Sequence, residues 1–85
     1  MNIYEFSKKI TTKKDFEQFL SYLIEDFKNN RSTWDNDKIE TFLDGALRFT
    51  ESIDNYYRNM NESVDTTTPS WKLIADILLA AKVYE

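Results

Sequence analysis

The segment Pro69–Glu85, P-S-W-K-L-I-A-D-I-L-L-A-A-K-V-Y-E, restricts this chain more than any other stretch. Of the fifteen residues after Ser70, eleven are apolar or aromatic, and the only charges are Lys72, Asp76, Lys82 and Glu85. A helix with one apolar stripe lies on a surface, whereas one apolar nearly all round lies inside. Lys72 and Asp76 are four apart and share a row of the helical net with Leu79 and Val83. The polar stripe therefore lasts two turns and closes over. The spacing predicts a central helix over 71–84, with other helices on two sides of it. Pro69 stops any helix before it, and Ser70 is placed to cap this one.

Upstream, Phe16, Phe19, Leu20, Leu23, Ile24 and Phe27 follow the i, i+3, i+4, i+7 rule and predict an amphipathic helix over 13–29. Thr12 with Asp15 resembles a capping box with Asp in place of Glu. Asn29-Asn30 is suited to end the helix through the left-handed cap conformation. A second helix is predicted over 38–59, with Asp37 as N-cap and Glu40 completing its box. Its apolar positions run from Ile39, Phe42 and Leu43 through Ala46, Leu47, Phe49 and Ile53 to Tyr56, Tyr57 and Met60. Gly45 inside it costs roughly 1 kcal/mol of helix propensity, and close approach of a neighbouring helix at Ala80 or Ala81 would account for it. Asn61–Thr68 is a polar loop whose one apolar residue is Val64. At the N-terminus, Ile3, Phe6 and Ile10 fit a short helix, with a brief strand as the alternative. The expected fold class is all-α: a compact bundle of three main helices, about 13–29, 38–59 and 71–84, with a short N-terminal element. At 85 residues, one domain is expected.

A chain of this size hides only roughly 60–65% of its unfolded surface, so its core needs reinforcement. With no cysteine, that reinforcement is aromatic: two Trp, five Tyr and six Phe. The net charge of −4 argues against phosphate-backbone binding, which needs a basic stripe. The only dense basic groups are Lys8-Lys9 and Lys13-Lys14. No run approaches the ~18 apolar residues of a membrane span. The first residues carry no secretory signal, so a cytoplasmic location is expected. Lack of histidine as well as cysteine removes the commonest general base and the commonest zinc ligands. One glycine cannot build a phosphate-binding loop. Neither a catalytic set nor a cofactor or metal set emerges.

Carboxylates and aromatic residues remain as candidates. Glu40, Asp44 and Glu51 lie near one face of the second helix with Arg48 among them, and Glu51 and Asp54 are three apart. Such acids hold hard cations in some sites, but a solvated face with ordinary Asp44–Arg48 pairing accounts for them here. Asp76 lies on a helix that otherwise looks buried and needs a partner, with Lys72 the obvious one. Trp34, Tyr56 and Tyr57 are the candidate partner-binding residues, since Trp and Tyr dominate interface hot spots. The same residue types fill small cores. Trp71 is expected in the core, Trp34 either caps the helix junction or faces a partner, and at most one of Tyr56 and Tyr57 points inward.

Pro69–Glu85 resembles the closing signature of a family of small bacterial proteins known as a domain of unknown function. W-D-N-D-K-I-E-T-F-L (Trp34–Leu43) and Y-Y-R-N (Tyr56–Asn59) resemble its middle section. The resemblance implies a stand-alone, cytoplasmic, mostly helical domain and carries no activity, ligand or site residue with it.

These readings lead to a small acidic protein-interaction module without catalytic activity, of the inhibitor or immunity type in its most concrete form. Acidic character steers a protein towards basic partners. The alternative is a small-molecule or metal-ion binding protein, or a minor enzyme, working through carboxylates and tyrosines. Self-association is a third possibility. If the last segment is the centre of the fold, removing 81–85 abolishes cooperative thermal unfolding; a truncated chain that melts like the full one overturns that placement.

Overall fold

The structure, a computed structural model, describes residues 2–84. Met1 and Glu85, the last residue of the segment Pro69–Glu85, lie outside the described residues. Five α-helices and one 3-10 turn make up the described chain, with no strand among its residues. They are α1 (Ile3–Ser7), α2 (Lys13–Asn29), α3 (Ile39–Glu51), α4 (Ile53–Asn59) and α5 (Trp71–Ala81), with the 3-10 turn at Arg31–Thr33. The all-α expectation holds, but five helices replace the three main ones.

α5 is the centre. Its Ala75 and Leu79 enter a core cluster with Ile10, Phe19, Leu23 and Trp34. Its Leu73 enters a second cluster with Phe49, Ile53 and Tyr57. Helices thus pack on two sides of α5, as its composition requires. Ser70 caps it, accepting from the Leu73 N–H at 3.1 Å. The helix stops at Ala81 rather than Tyr84 because Asn36 intervenes. The Asn36 side-chain amide donates to the carbonyls of Ala81 (2.9 Å) and Tyr84 (2.8 Å), and its backbone N–H donates to Lys82 O (3.0 Å). The last carbonyls of a helix have no partner within it, and one loop asparagine satisfies three groups of this terminus.

α2 forms as predicted. Thr12 accepts from the Asp15 N–H at 3.1 Å while Asp15 accepts from the Thr12 N–H at 3.2 Å, a complete capping box. Its C-terminus differs. Asn30 is not left-handed (φ −131°) and instead donates its N–H to Asp26 O at 2.8 Å. The left-handed asparagine is Asn61 (φ 55°), after α4. There Glu62 N–H reaches Tyr57 O (2.9 Å) and Asn61 N–H reaches Arg58 O (3.2 Å), the paired bonds of a Schellman ending.

The helix expected over 38–59 is broken at Ser52 (φ −108°, ψ 12°). The Ser52 hydroxyl bonds the carbonyls of Arg48 and Phe49 and meets the Tyr84 hydroxyl at 2.7 Å. A serine bonding one turn back competes with the helical ladder and bends it. The bend lets Ile53 and Tyr57 follow α5 into the second cluster. The expected cap at Asp37 also fails: Lys38 occupies the N-cap position with no side-chain bond, and Asp37 pairs with Arg31 at 3.7 Å. The N-terminal element is the short helix, capped by Asn2.

Gly45 lies at the α3–α5 crossing. A Cβ there would meet Ala81 O at 2.8 Å, the Asn36 amide nitrogen at 2.8 Å and Tyr84 O at 3.0 Å. Two of the three neighbours are backbone oxygens, and the third is the group that holds them. Glycine is required by close approach, at the residue the sequence singled out. Gly45→Ala gains about 1 kcal/mol of helix propensity but overpacks the crossing, which costs typically 1–3 kcal/mol and more where backbone must move. The variant is expected to lose stability in urea denaturation; a raised melting temperature overturns this account of the crossing.

Candidate functional site

Of the three aromatic residues singled out as partner-binding, the structure buries two. Trp34 is only 9% exposed. Its ring stacks on Phe42 (5.8 Å between centroids) and meets Phe27 edge-on (5.0 Å). Its Nε1–H donates to Asp26 at 2.8 Å. Trp34 therefore seals the junction between α2 and α3 and offers little ring surface to a partner. Tyr57 is 2% exposed, with its hydroxyl donating to Asp76 at 2.6 Å. Burial, followed by donation to this carboxylate and by its charge, pushes the phenol well above its ordinary range. Tyr56, next to it, is half exposed and lies edge-on against Phe49. Trp71, expected in the core, is 38% exposed and packs one side on Phe16.

Two carboxylates organise the interior. Asp76 accepts from both Tyr57 and Lys72, the latter at 2.8 Å, and Lys72 also faces Glu62 at 3.6 Å. The Lys72–Asp76 pair read from the sequence is present, and its acid is buried rather than partly exposed. Asp26 is the second. One oxygen accepts from Trp34 Nε1 and from Lys82 Nζ at 2.8 Å; the other accepts from the Asn30 amide. Lys82 is 4% exposed, its ammonium close to the Tyr4 and Trp34 rings. Burial alone would raise the Asp26 pKa, but hydrogen bonds from Lys82, Trp34 and Asn30 outweigh it and hold the carboxyl below its ordinary value. Burial likewise opposes the Lys82 charge, and Asp26 more than compensates. Sequence reading missed this pair, although it left a signal: Asp26 lies on the apolar face of α2 between Leu23 and Phe27.

Neither cluster has spare capacity: no buried side-chain polar atom among the described residues lacks a partner. Asp54 accepts from Thr66, and the described residues hold no group of three potential metal ligands. Asp44 pairs with Arg48 at 2.9 Å on an exposed face, as the spacing implied.

The candidate site lies elsewhere. No Cα of α2 comes within 8 Å of one in α3, although both helices pack on α5. Two shallow apolar cavities of about 260 and 200 Å³ lie beside Trp34 and share it and Phe27. Leu20 and Ile24 of α2 line the larger, and Ile39 and Phe42 of α3 line the smaller. From Ile39 (73% exposed) an apolar row continues along α3 through Leu43 (60%) and Leu47 (59%), and α2 exposes Ile24 (56%). Their i, i+4 spacing is what the sequence presented as core. The helix buries Gly45 and Phe49 instead and leaves this flank outside.

The Asp26–Lys82 pair makes stability depend on pH at both extremes. Because the folded Asp26 pKa is depressed, its contribution is complete above the unfolded value of about 3.9 and disappears as pH falls through the folded value. The Lys82 pKa is raised, so its share is present below about 10.4 and is lost as pH rises through the folded value. Lys82→Met leaves Asp26 facing Trp34 and Asn30 without a counter-charge, and about 3 kcal/mol is expected to be lost at pH 7. Adding Asp26→Asn keeps an acceptor for Trp34 and should recover most of it. Urea melts at pH 7 followed by tryptophan fluorescence test this. If the single variant is as stable as wild type, the pair is not structural.

No helix in the described residues is long and apolar enough to cross a membrane. Comparisons with curated proteins and with solved structures each find no significant match. Residues 12–85 match the family of unknown function DUF7660, and the chain belongs to that family.

Proposed function

We propose that the protein is a non-catalytic interaction module that docks onto a basic partner protein through the exposed apolar flank of α3. The observation that carries this is the exposed row Ile39, Leu43 and Leu47 on α3. Single exposed apolar residues need no explanation, but a continuous patch on a small domain marks an interaction surface. The interior offers no competing site, since its two carboxylates are spent on Trp34, Lys82, Tyr57 and Lys72.

The partner's sign follows from charge. A net −4 steers the chain towards basic surfaces and away from its own copies. An inhibitor or immunity-type role, in which the module masks a basic surface such as that of a nuclease, is the concrete form of this reading.

The test uses surface substitutions, because replacing buried Trp34 would disturb the fold before it reported on binding. Ile39→Ser with Leu43→Ser touches exposed positions, so the melting temperature should hardly change. Wild-type protein immobilised in native-source lysate is expected to retain a specific protein that the double variant loses. The affinity loss is expected to be tenfold or more, since fully burying one such side chain contributes about 1.5–3 kcal/mol. Equal retention by both forms overturns the docking surface. Retained proteins no more basic than the lysate overturn the charge argument.

A further inference from the structure

Between α1 and one face of α2 lies an open cleft of about 400 Å³, within the about 300–1,000 Å³ of small-molecule sites. We propose that this cleft binds a neutral, polyhydroxylated ring compound, a monosaccharide or cyclic polyol. The site is separate from the α3 flank and stands or falls apart from the docking reading.

Helical spacing builds one wall. Tyr22, Glu25, Asp26 and Asn29 follow the i, i+3, i+4, i+7 rule and share one face of α2. Asn30, the C-cap of that helix, extends the wall. Asn2 and Tyr4 supply the other wall from the start of α1. The two walls are fixed to each other. Phe6 of α1 meets the Tyr22 ring edge-on, with 5.2 Å between centroids. The Lys82 ammonium stands 5.4 Å from the centre of the Tyr4 ring while it bonds Asp26 at 2.8 Å. Tyr4 and Tyr22 are nonetheless 47% and 39% exposed, so both keep ring surface for a ligand.

The polar groups around the cleft ask for donors and acceptors together. Asn2 spends its carbonyl oxygen on the N–H groups of Tyr4 (2.8 Å) and Glu5 (3.1 Å), which leaves its amide nitrogen to donate. Asn30 spends its amide nitrogen on Asp26 at 3.1 Å, which leaves its carbonyl oxygen to accept. Asn29 and Tyr22 bring groups of both kinds, and Glu25 brings a carboxylate that accepts. A hydroxyl is the simplest ligand group that both donates and accepts, and a molecule carrying several of them can use this mixed set. Charge agrees. The Asp26 carboxylate is matched by Lys82. A cation would leave the amide donors facing a positive charge, and an anion would meet Glu25. A neutral polyol avoids both, and the C–H faces of its ring suit the Tyr4 and Tyr22 side chains, each apolar in body and polar at the tip.

The experiment follows the full nitrogen-15-labelled chain by NMR, in which asparagine side-chain amides give their own signals. It is titrated with methyl glucoside, methyl galactoside and inositol, and in parallel with tetramethylammonium and acetate as charged probes. At least one of the three polyols is expected to shift the side-chain amides of Asn2, Asn29 and Asn30 saturably. Asn29→Ala changes an exposed helix end, so the melting temperature should hardly move. It should weaken polyol binding about fivefold, as the loss of one hydrogen bond implies. Glu25→Gln removes the charge and keeps an acceptor, so polyol binding should survive it. Saturable shifts from tetramethylammonium that Glu25→Gln abolishes, with none from the polyols, make the cleft a cation site and overturn the proposal. Saturation by acetate alone overturns it too, as does no saturation by any polyol up to about 100 mM. Polyol binding that Asn29→Ala leaves undiminished overturns the placement. Ile39→Ser/Leu43→Ser should leave the titration unchanged; loss of polyol binding in that variant would move the site to α3 and overturn the cleft, while the lysate experiment judges the docking surface on its own.

Discussion

The architecture depends on one crossing, where α3 passes over the end of α5. Gly45 lets the two backbones approach until a side chain on α3 would strike the carbonyls of Ala81 and Tyr84. Those carbonyls have no partner within α5, so the approach is tenable only because Asn36 reaches in beside Gly45 and bonds both. Backbone groups buried without partners cost about as much as a lost hydrogen bond each. Glycine and asparagine therefore work as one device: the first makes room, and the second satisfies what the room exposes. The connection between α2 and α3 is fixed by the same contact, because Asn36 lies on it.

From that fixed connection the two buried carboxylates follow. Trp34, two residues before Asn36, is held against Phe27 and Phe42. Its indole N–H must find an acceptor, and Asp26 supplies it. The Asp26 charge then needs a cation, and Lys82, in the turn that Asn36 clamps, is the one within reach. Opposite, Asp76 joins α5 to α4 through Tyr57. A small chain without disulfides thus ties its helices together through two carboxylates, each satisfied by two or more donors. Such pairs are weak as sources of stability once desolvation is counted. Their value here is geometric, because a shifted helix would strand a buried charge.

Periodicity made α2 and α5 legible, and composition marked α5 as the centre. Gly45 was legible because a glycine in a helix interior needs a reason. The break at Ser52 was not, because Phe49, Ile53 and Tyr57 keep a four-residue spacing straight through it. Trp34 lies in a connection, where no period says which way a side chain points. Its partners did leave a trace, since Asp26 and Lys82 are charges on otherwise apolar surfaces, and each such charge implies the other. Asn36 left none, as capping a helix end 45 residues away has no local signature. The exposed apolar flanks were present in the sequence as excess: α2 and α3 carry apolar stripes wider than one contact surface with α5 requires.

That excess bears on function more than any single residue does. A helix packed on one neighbour needs an apolar face; further width exposes apolar surface to water and lowers solubility without strengthening the fold. On α3 the chain buries Phe49 and half-buries Phe42 and Ala46, yet exposes Ile39, Leu43 and Leu47 on the adjoining flank. On α2 it buries Phe19 and Leu23 and exposes Ile24 and Leu20. The fold would close without those side chains. Their exposure is what the proposed docking surface rests on.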